Sequence, residues 1–246
     1  MTLDFNRYHR ILDQINPIKV NGTVNEIIGL MVEGHGPASS VGEMCNIFEN
    51  SGVGDPLRAE VVGFRKGKVL LMPLDNLQGV GPGSRIVSLG RKASVAVGKK
   101  LLGRVIDGLG NPIDGKGLMD LEDEYPLYAE PINPLKRGRV VKPMDLGIRA
   151  LNGLLSCGKG QKMGIFSGSG VGKSILLGMI ARYTKADVNV IGLIGERGRE
   201  VREFVEKNLG TEGLKRSIVI VATSDRHPLI RMRAAYVATS VAEYFR

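Results

Sequence analysis

A glycine-rich stretch between an apolar pair and a helical pattern constrains this chain more than any other feature. Residues 165–174 read IFSGSGVGKS, and Lys173 and Ser174 open an amphipathic pattern. This order predicts a strand, a tight loop and a helix. The glycines let successive backbone N–H groups turn toward one point, where the helix N-terminus adds the positive end of its dipole. The stretch is therefore typical of a phosphate-binding loop.

The residue types in this loop suit a nucleoside triphosphate with Mg²⁺. The Lys173 ammonium can reach the β and γ phosphates, and the Ser174 hydroxyl can ligate Mg²⁺. The strict pattern G-x-x-x-x-G-K-[ST] requires glycine at position 167, where this chain has serine, and a turn that merely packs tightly is the structural alternative. We predict ATP and Mg²⁺ binding, with Ser174 as the metal ligand and Lys173 also catalytic. The predicted nucleotide-binding residues are Ser167, Gly168, Ser169, Gly170, Val171, Gly172, Lys173, Ser174 and Ile175.

Length and composition narrow the class of protein. A chain of 246 residues is long enough for two domains with cores of their own. No apolar run approaches the roughly 18 residues of a membrane helix, and no signal-peptide pattern opens the chain, so a soluble, intracellular protein is expected. Cys45 and Cys157 lack metal-ligand spacing, which predicts two reduced thiols and no cysteine metal site. The net charge of +9 suits anionic partners, but aromatic residues at 5% do not support a stacking platform for bases.

The first part of the chain predicts a helix and then a small β-barrel. Apolar residues at helical spacing over residues 1–16 indicate an amphipathic helix, which either packs on its own domain or docks a partner. Short β-rich runs separated by turn residues predict a barrel over residues 17–95, with His35 and Glu43 placed in loops. Four prolines within residues 126–143 predict an extended connector that belongs to the second domain, residues 96–246.

After Gly147 the pattern alternates between helix and strand. Helices are predicted over residues 149–155 and 173–184 and around Phe204, with a last one ending near Phe245; strands are predicted over residues 188–194 and 218–221. Continuous apolar strands that alternate with helices indicate a parallel sheet covered on both faces. The second domain is therefore predicted to be α/β.

A second motif, GERGRE over residues 195–200, follows the predicted strand at residues 188–194. Ligands of open α/β sheets bind at the carboxyl ends of the strands, so this motif is expected near the phosphate loop. Glu196 could orient or deprotonate an attacking water, and Arg197 could offset charge on the γ phosphate. By itself the run is also compatible with a solvated first helical turn. Its position one strand after the phosphate loop favours the catalytic interpretation.

Residues 165–174, 195–200 and 101–115, together with the β-rich front end, resemble the ATPases of flagellar and type III protein export. These ATPases are relatives of the catalytic subunit of rotary ATP synthases, and residues 171–179 and 195–201 resemble the export type. The resemblance implies a RecA-like P-loop NTPase domain behind a small N-terminal β-barrel, and a six-membered ring with ATP at subunit boundaries. It implies Lys173 on the phosphates, Ser174 on Mg²⁺, Glu196 as the catalytic carboxylate and Arg197 near the γ phosphate.

The same resemblance implies further partners and further parts of the site. A regulator or stator protein is expected on the N-terminal helix, with the export gate and chaperone–substrate complexes as other partners, at the inner face of the cytoplasmic membrane. A strand ending in a Mg²⁺-ordering Asp, an arginine finger and the adenine pocket are all expected beyond Arg246. On this expectation the ATPase domain is incomplete and the 246 residues alone hydrolyse ATP at background rates.

Two alternatives of different classes stay open at this point. A Rho-like RNA translocase also joins a small barrel to a RecA domain, although no nucleic-acid partner is expected here because the barrel region has few aromatics. A non-catalytic nucleotide-binding module for assembly is the second alternative. RNA-stimulated turnover would select the first, and ATP binding without turnover would select the second.

Overall fold

The computed structural model describes residues 20–50, 54–168 and 170–246. The chain divides into two compact units, the first ending at Ala93 and the second running from Ser94 to Arg246. The predicted helix over residues 1–16 lies outside the described residues.

Six strands of the first unit form a closed antiparallel barrel in the order β1-β2-β5-β4-β3-β6. Their bounds are β1 (Asn21–Ile28), β2 (Met31–His35), β3 (Glu43–Ile47), β4 (Leu57–Arg65), β5 (Lys68–Pro73) and β6 (Arg85–Lys92). Strand β1 pairs with both β2 and β6, so the sheet closes without a free edge. Inward side chains fill the barrel: Val24, Val32, Cys45, Ile47, Ala59, Val61, Val69, Leu71 and Ile86. The predicted small barrel is confirmed.

Two of these strands are absent from the sequence-based prediction. His35 and Glu43 were expected in loops, but His35 ends β2 and Glu43 begins β3. The β2 pattern is obscured because Glu33 is a charged residue at a buried position, where its carboxylate lies 2.6 Å from Lys68 Nζ. Both strands gain hydrogen bonds from two neighbours in the closed barrel, so tertiary pairing outweighs weak local propensity.

The second unit contains short two-stranded pairs, one parallel sheet and its helices. The strands are β7 (Ser94–Val97), β8 (Val105–Asp107), β9 (Asp123–Pro126), β10 (Pro143–Met144), β11 (Cys157–Gly158), β12 (Asn189–Ile194) and β13 (Ser217–Ala222). The α-helices are α1 (Arg149–Leu154), α2 (Lys173–Tyr183), α3 (Gly198–Glu203), α4 (Gly210–Lys215) and α5 (Pro228–Tyr244). A π-helix, Phe204–Leu209, joins α3 to α4, and 3-10 turns lie at Lys99–Leu101 and Pro134–Lys136. β9 ends at Pro126, the first residue of the predicted connector, and pairs with β7.

The sheet that positions the site has the order β12-β13-β8, and all its strands are parallel. On one face, Val219 and Val221 of β13 pack in a cluster with Phe204, Leu209 and Ala181. Side chains alternate along a strand, so the buried Ile218 and Ile220 point to the other face, where α5 packs on β12 and β13. The predicted α/β arrangement with a covered parallel sheet is confirmed.

The strand predicted just before the phosphate loop is wrong for this structure. Residues 161–168 have no regular secondary structure, and the Phe166 side chain is 96% exposed. A strand forms only where a neighbour accepts its backbone hydrogen bonds, and no described segment pairs with Ile165 and Phe166. The apolar residues Ile165 and Phe166 were therefore not sufficient to form a strand.

Candidate functional site

The phosphate loop reaches α2 through glycines in left-handed conformations. Gly170 has a φ of 77° and Gly172, the residue before α2, has a φ of 95°, a region where other residues are strained. Apart from the chain neighbours, no atom of a described residue lies within 4 Å of a Cβ built on Gly168, Gly170 or Gly172. Packing therefore does not require these glycines, whereas an open loop whose backbone approaches a ligand does. Ser169 lies outside the described residues.

Helix α2 points its N-terminus into the same region. The first intrahelical bond runs from Leu176 N–H to the Gly172 carbonyl at 2.9 Å, which leaves earlier amides of the turn without helical partners. These amides and the helix dipole favour an anion at this end. Lys173, Ser174 and Ile175 occupy the first turn, and the Lys173 side chain is 43% exposed. The turn thus offers one partly exposed cation and one hydroxyl beside amides that have no helical partner.

Glu196 is held at the carboxyl end of β12 by two backbone contacts. Gly195 N–H donates to the Ala222 carbonyl at 2.7 Å, and the Glu196 carbonyl accepts from Ser224 N–H at 3.0 Å. These bonds tie the motif to the end of β13. The Glu196 carboxylate oxygen Oε1 lies 3.7 Å from Lys173 Nζ, so the structure brings together two of the three predicted catalytic residues, Lys173, Glu196 and Arg197.

A cleft of about 330 Å³ lies between the loop and the helix that follows Glu196. Its lining residues are Gly168, Gly170, Gly172, Lys173, Ser174, Ile175, Glu196, Glu200, Glu203 and Asn208. Glu200, Glu203 and Asn208 were not predicted as site residues. Glu200 and Glu203 are three residues apart in α3, which places them on one face of that helix, and this spacing was a usable signal in the sequence.

Glu200 is the acidic group of the cleft with a shifted pKa. Burial raises its pKa, but hydrogen bonding with Glu196 and with the backbone of Arg197, and the charges of Arg197 and Arg199, together hold the pKa below its usual value. Glu200 is therefore a carboxylate at neutral pH. Its Oε1 lies 3.4 Å from Arg197 Nη1.

The remaining predicted site residues lie beside the cleft rather than in its lining. The Arg197 side chain is 67% exposed and turns toward Glu200, while its backbone precedes α3. Ser167 and Val171 are exposed. An anion bound in the cleft would lie next to the turn that carries Arg197. In the described structure, the guanidinium of Arg197 pairs with Glu200 and forms no ion pair or hydrogen bond with Lys173 or Ser174.

The donor set of the cleft suits Mg²⁺ that arrives with phosphate oxygens. The Ser174 hydroxyl and the carboxylates of Glu196, Glu200 and Glu203 border one space, and Mg²⁺ prefers oxygen ligands supplied jointly by protein and phosphates. Among the residues that the structure describes, no three His, Cys, Asp or Glu side chains are grouped to hold a metal by themselves. None of the described helices is long and apolar enough to span a membrane.

Two family models match the chain. The model for the ATP synthase alpha/beta family, nucleotide-binding domain, matches residues 147–246, and the model for the β-barrel domain of the same family matches residues 24–90. Together they cover well over half of the chain. The second match falls on the barrel, and the first includes the cleft.

Curated relatives match almost the whole chain. The flagellum-specific ATP synthase of Bacillus subtilis is 51% identical over 235 residues, which are 96% of this chain and 54% of the relative. The type 3 secretion system ATPase of Xanthomonas euvesicatoria is 50% identical over 225 residues, 92% of this chain and 51% of the relative. The chain thus spans about half the length of these relatives.

A solved structure supports the same relationship. The assembled ATPase EscN from the type III secretion system of enteropathogenic E. coli superposes with a TM-score of 0.81 and 42% identity, covering 92% of this chain and 53% of that chain. A second structure holds EscN in complex with its central stalk EscO and has a TM-score of 0.82. From its barrel, its nucleotide-binding domain and these relatives, the chain belongs to the ATP synthase alpha/beta family.

Proposed function

We propose that the chain binds Mg-ATP in the cleft of the second unit and takes part in its hydrolysis to ADP and phosphate. The observation that carries this proposal is the 3.7 Å approach of Lys173 Nζ to Glu196 Oε1, at the N-terminus of α2 and beside an open glycine loop. This arrangement joins a phosphate-binding cation to a candidate base. Membership of the family supports the same reaction.

Some residues of the cleft are proposed to bind the nucleotide, and Glu196 is proposed to act in the hydrolysis step. The loop amides and Lys173 hold the phosphates, and the Ser174 hydroxyl supplies a ligand for Mg²⁺, which neutralises phosphate charge when it is bound. Entry of a phosphate gives Lys173 a stronger partner than Glu196 and frees that carboxylate. Glu196 then orients a water molecule and accepts its proton, while its backbone stays anchored to β13.

Arg197 is proposed to stabilise charge on the γ phosphate. Its present partner is Glu200, at 3.4 Å and largely in solvent, and such an exposed pair contributes little energy. A phosphate at the mouth of the cleft competes readily for the guanidinium, which binds phosphate oxygens in a bidentate manner.

The cellular role follows from the relatives and is part of the proposal. Relatives of both flagellar and type 3 secretion systems match at 50% identity or slightly more, so we assign the chain to an ATPase that energises protein export. EscN is described as assembled and as bound to a central stalk, which supports a ring of copies of this chain, proposed to be a hexamer, with a stalk or stator partner. The proposed location is the cytoplasm, peripheral to the inner face of the membrane, with a regulator on residues 1–16 and with the export gate and chaperone–substrate complexes as further partners.

The test separates binding from hydrolysis. Among the described residues that line the cleft, Lys173 is the only cation. Lys173→Ala removes it, so ATP affinity is expected to fall by at least tenfold, as measured by titration with a fluorescent ATP analogue. Glu196→Gln keeps the shape of the site but removes the base. In a protein of the relatives' full length that carries these residues, affinity should stay within about threefold while phosphate release falls by about 10²-fold or more.

Matched controls lie outside the cleft. Lys142→Ala and Glu206→Gln alter exposed side chains and should change neither quantity. Unchanged ATP binding in Lys173→Ala would remove the assignment of the loop, and an equal loss of binding in both cleft variants would make Glu196 a structural residue. Turnover that rises on addition of RNA would select the RNA translocase instead.

A further inference from the structure

The helix that follows the phosphate loop touches the neighbouring π-helix at a glycine. Gly178 is buried in the middle of α2, and a Cβ built on it would lie 2.7 Å from the Asn208 Cβ and 2.8 Å from the Asn208 carbonyl oxygen. Ordinary contacts of a Cβ begin near 3.4 Å. Two of the atoms in the way belong to backbone, which cannot rotate aside. Helix α2 therefore approaches the π-helix more closely than any residue with a side chain would allow.

A second set of contacts holds the C-terminal end of α2. Gly213 of α4 leaves room for Arg182, whose Cγ would lie 3.1 Å from a Cβ at that position, and for Leu209 Cδ1 at 2.9 Å. The Arg216 guanidinium donates to the carbonyls of Ala181 and Arg182, each at 2.9 Å. With its C-terminal end held in this way, α2 can respond to added bulk at Gly178 mainly by moving its N-terminal end.

The two packed helices are also the two walls of the cleft. Helix α2 carries Lys173 and Ser174, and the α3–π-helix segment carries Glu200, Glu203 and Asn208. The π-helical turn matters here because it places Asn208 both in the cleft lining and against Gly178; π-helical turns inside helices occur frequently at functional sites. A close contact between the two walls thus lies five residues along α2 from Lys173.

We propose that Gly178 is a positioning residue, which sets the width of the cleft so that Lys173 and the Glu196 carboxylate act on the same phosphate. The inference rests on the proposed function of this cleft. It assigns to Gly178 no contact with nucleotide. Bulk at this position moves α2 with its Lys173 and Ser174, while Glu196 stays anchored to β13 by the bonds of Gly195 and Glu196.

Three glycine-to-alanine variants, each in a helix, test the proposal. Alanine in an open helical position favours the helix, so Gly153→Ala, which would contact nothing within 4 Å, should keep or raise the melting temperature. Gly213→Ala meets ends of flexible side chains and should lower it slightly. Gly178→Ala meets the backbone of Asn208 and should lower it most.

The functional test compares the change in kcat with the change in nucleotide affinity, both measured on folded protein. The variants are compared in a protein of the relatives' full length that carries these residues. In Gly178→Ala the loop from Gly168 to Ser174 keeps its own geometry, so affinity for a fluorescent ATP analogue should stay within about threefold, while kcat falls by about tenfold or more. Gly213→Ala should give a smaller fall, and it supplies the test if Gly178→Ala does not fold. Gly153→Ala should match the unaltered chain.

Two results overturn the proposal. One is a Gly178→Ala variant, or in its place a Gly213→Ala variant, with unaltered kcat per folded molecule. The other is a fall of kcat and affinity by the same factor, which indicates general disruption. If the unaltered chain binds no nucleotide, the proposed function fails by itself, and only the melting temperatures then test the close contact at Gly178. A melting temperature of Gly178→Ala equal to or above that of Gly153→Ala would refute that contact.

Discussion

At the scale of single residues, Arg104 and Asp114 form a largely buried ion pair in the second unit. Arg104 Nε donates to Asp114 Oδ2 at 2.7 Å, and the second guanidinium bond, to Oδ1, is 2.9 Å long. The backbone amides of Val105 and Lys116 add two bonds at 3.1 Å. The hydrogen bond from Arg104, ahead of the smaller opposing effect of burial, holds the pKa of Asp114 far below its ordinary value. The pair fixes the loop after β8 against the start of that strand.

Asp114→Asn is expected to lower the free energy of unfolding by about 3 kcal/mol at pH 7, because Arg104 is left without its carboxylate in a site where its side chain is 12% exposed. The folded-state pKa of Asp114 is depressed, so its stabilisation is full above the unfolded pKa near 4 and is lost as pH falls through the lower, folded pKa. The difference between variant and unaltered chain should therefore shrink below about pH 4. Urea unfolding at several pH values measures it.

The control for this prediction is Asp120→Asn. Asp120 pairs with Lys100 at 3.0 Å, but its side chain is 91% exposed, so the expected loss is under about 1 kcal/mol. A pH-independent difference for Asp114→Asn would show that the lost interaction is not one of charge.

At the scale of elements, the side chain of Arg216 caps the C-terminal end of helix α2. Arg216, which precedes β13, donates to four carbonyls at the C-terminal end of α2 and just beyond it: Ala181, Arg182, Thr184 and Ala186, at distances from 2.9 to 3.2 Å. Terminal carbonyls lack helical partners, and a cation also complements the negative end of the helix dipole. One side chain thereby joins the nucleotide-loop helix to the strand that anchors Glu196.

Arg216→Ala is expected to destabilise the chain by about 2 kcal/mol, since several charge-assisted hydrogen bonds are lost at a half-buried helix end. Arg216→Lys keeps the charge but cannot reach all four carbonyls and should recover part of the loss. Chemical denaturation measures both, and Lys215→Ala, at an exposed neighbour, is the control. Equal stability of the lysine variant and the unaltered chain would mean that charge alone, without the forked geometry, caps α2.

At the scale of the whole molecule, the barrel and the nucleotide-binding unit each have a core of their own. The barrel has no free edge, whereas strand β12 pairs on one side only among the described residues. Exposed apolar side chains lie around the phosphate loop, with Phe166 in solvent and Val171 and Ile175 more than half exposed. Surfaces of this kind usually contact other protein. They are compatible with the proposed assembly of copies.

The proposed assembly predicts dependence on nucleotide. Glu196→Gln, which is expected to bind ATP without releasing phosphate, should sediment as a larger species with Mg-ATP than without it. Lys173→Ala should show no such change, because it does not bind the ligand that favours assembly. Sedimentation velocity at matched protein concentrations measures this. Identical profiles of Glu196→Gln with and without nucleotide would argue against ATP-linked assembly.

Local chemistry explains what the sequence determined without a structure. Glycines followed by Lys173-Ser174, and a charged motif just after an apolar strand, predicted the loop and Glu196 because each depends on residue type and short spacing. Continuous apolar strands between helices likewise predicted the α/β sheet, and short β-rich runs between turn residues predicted four of the barrel strands. The roles of Lys173, Ser174, Glu196 and Arg197 stay predictions until they are measured.

Tertiary structure decided the features that depend on a partner distant in sequence. Strands β2 and β3 form because the closed barrel gives each of them two neighbours, and the segment at Ile165 lacks regular structure because no described strand pairs with it. Asn208 joins the cleft only through the π-helix and its contact with Gly178, 30 residues earlier in the chain. Hydrogen bonds between strands and close helix contacts join residues far apart in sequence, so no local pattern records them.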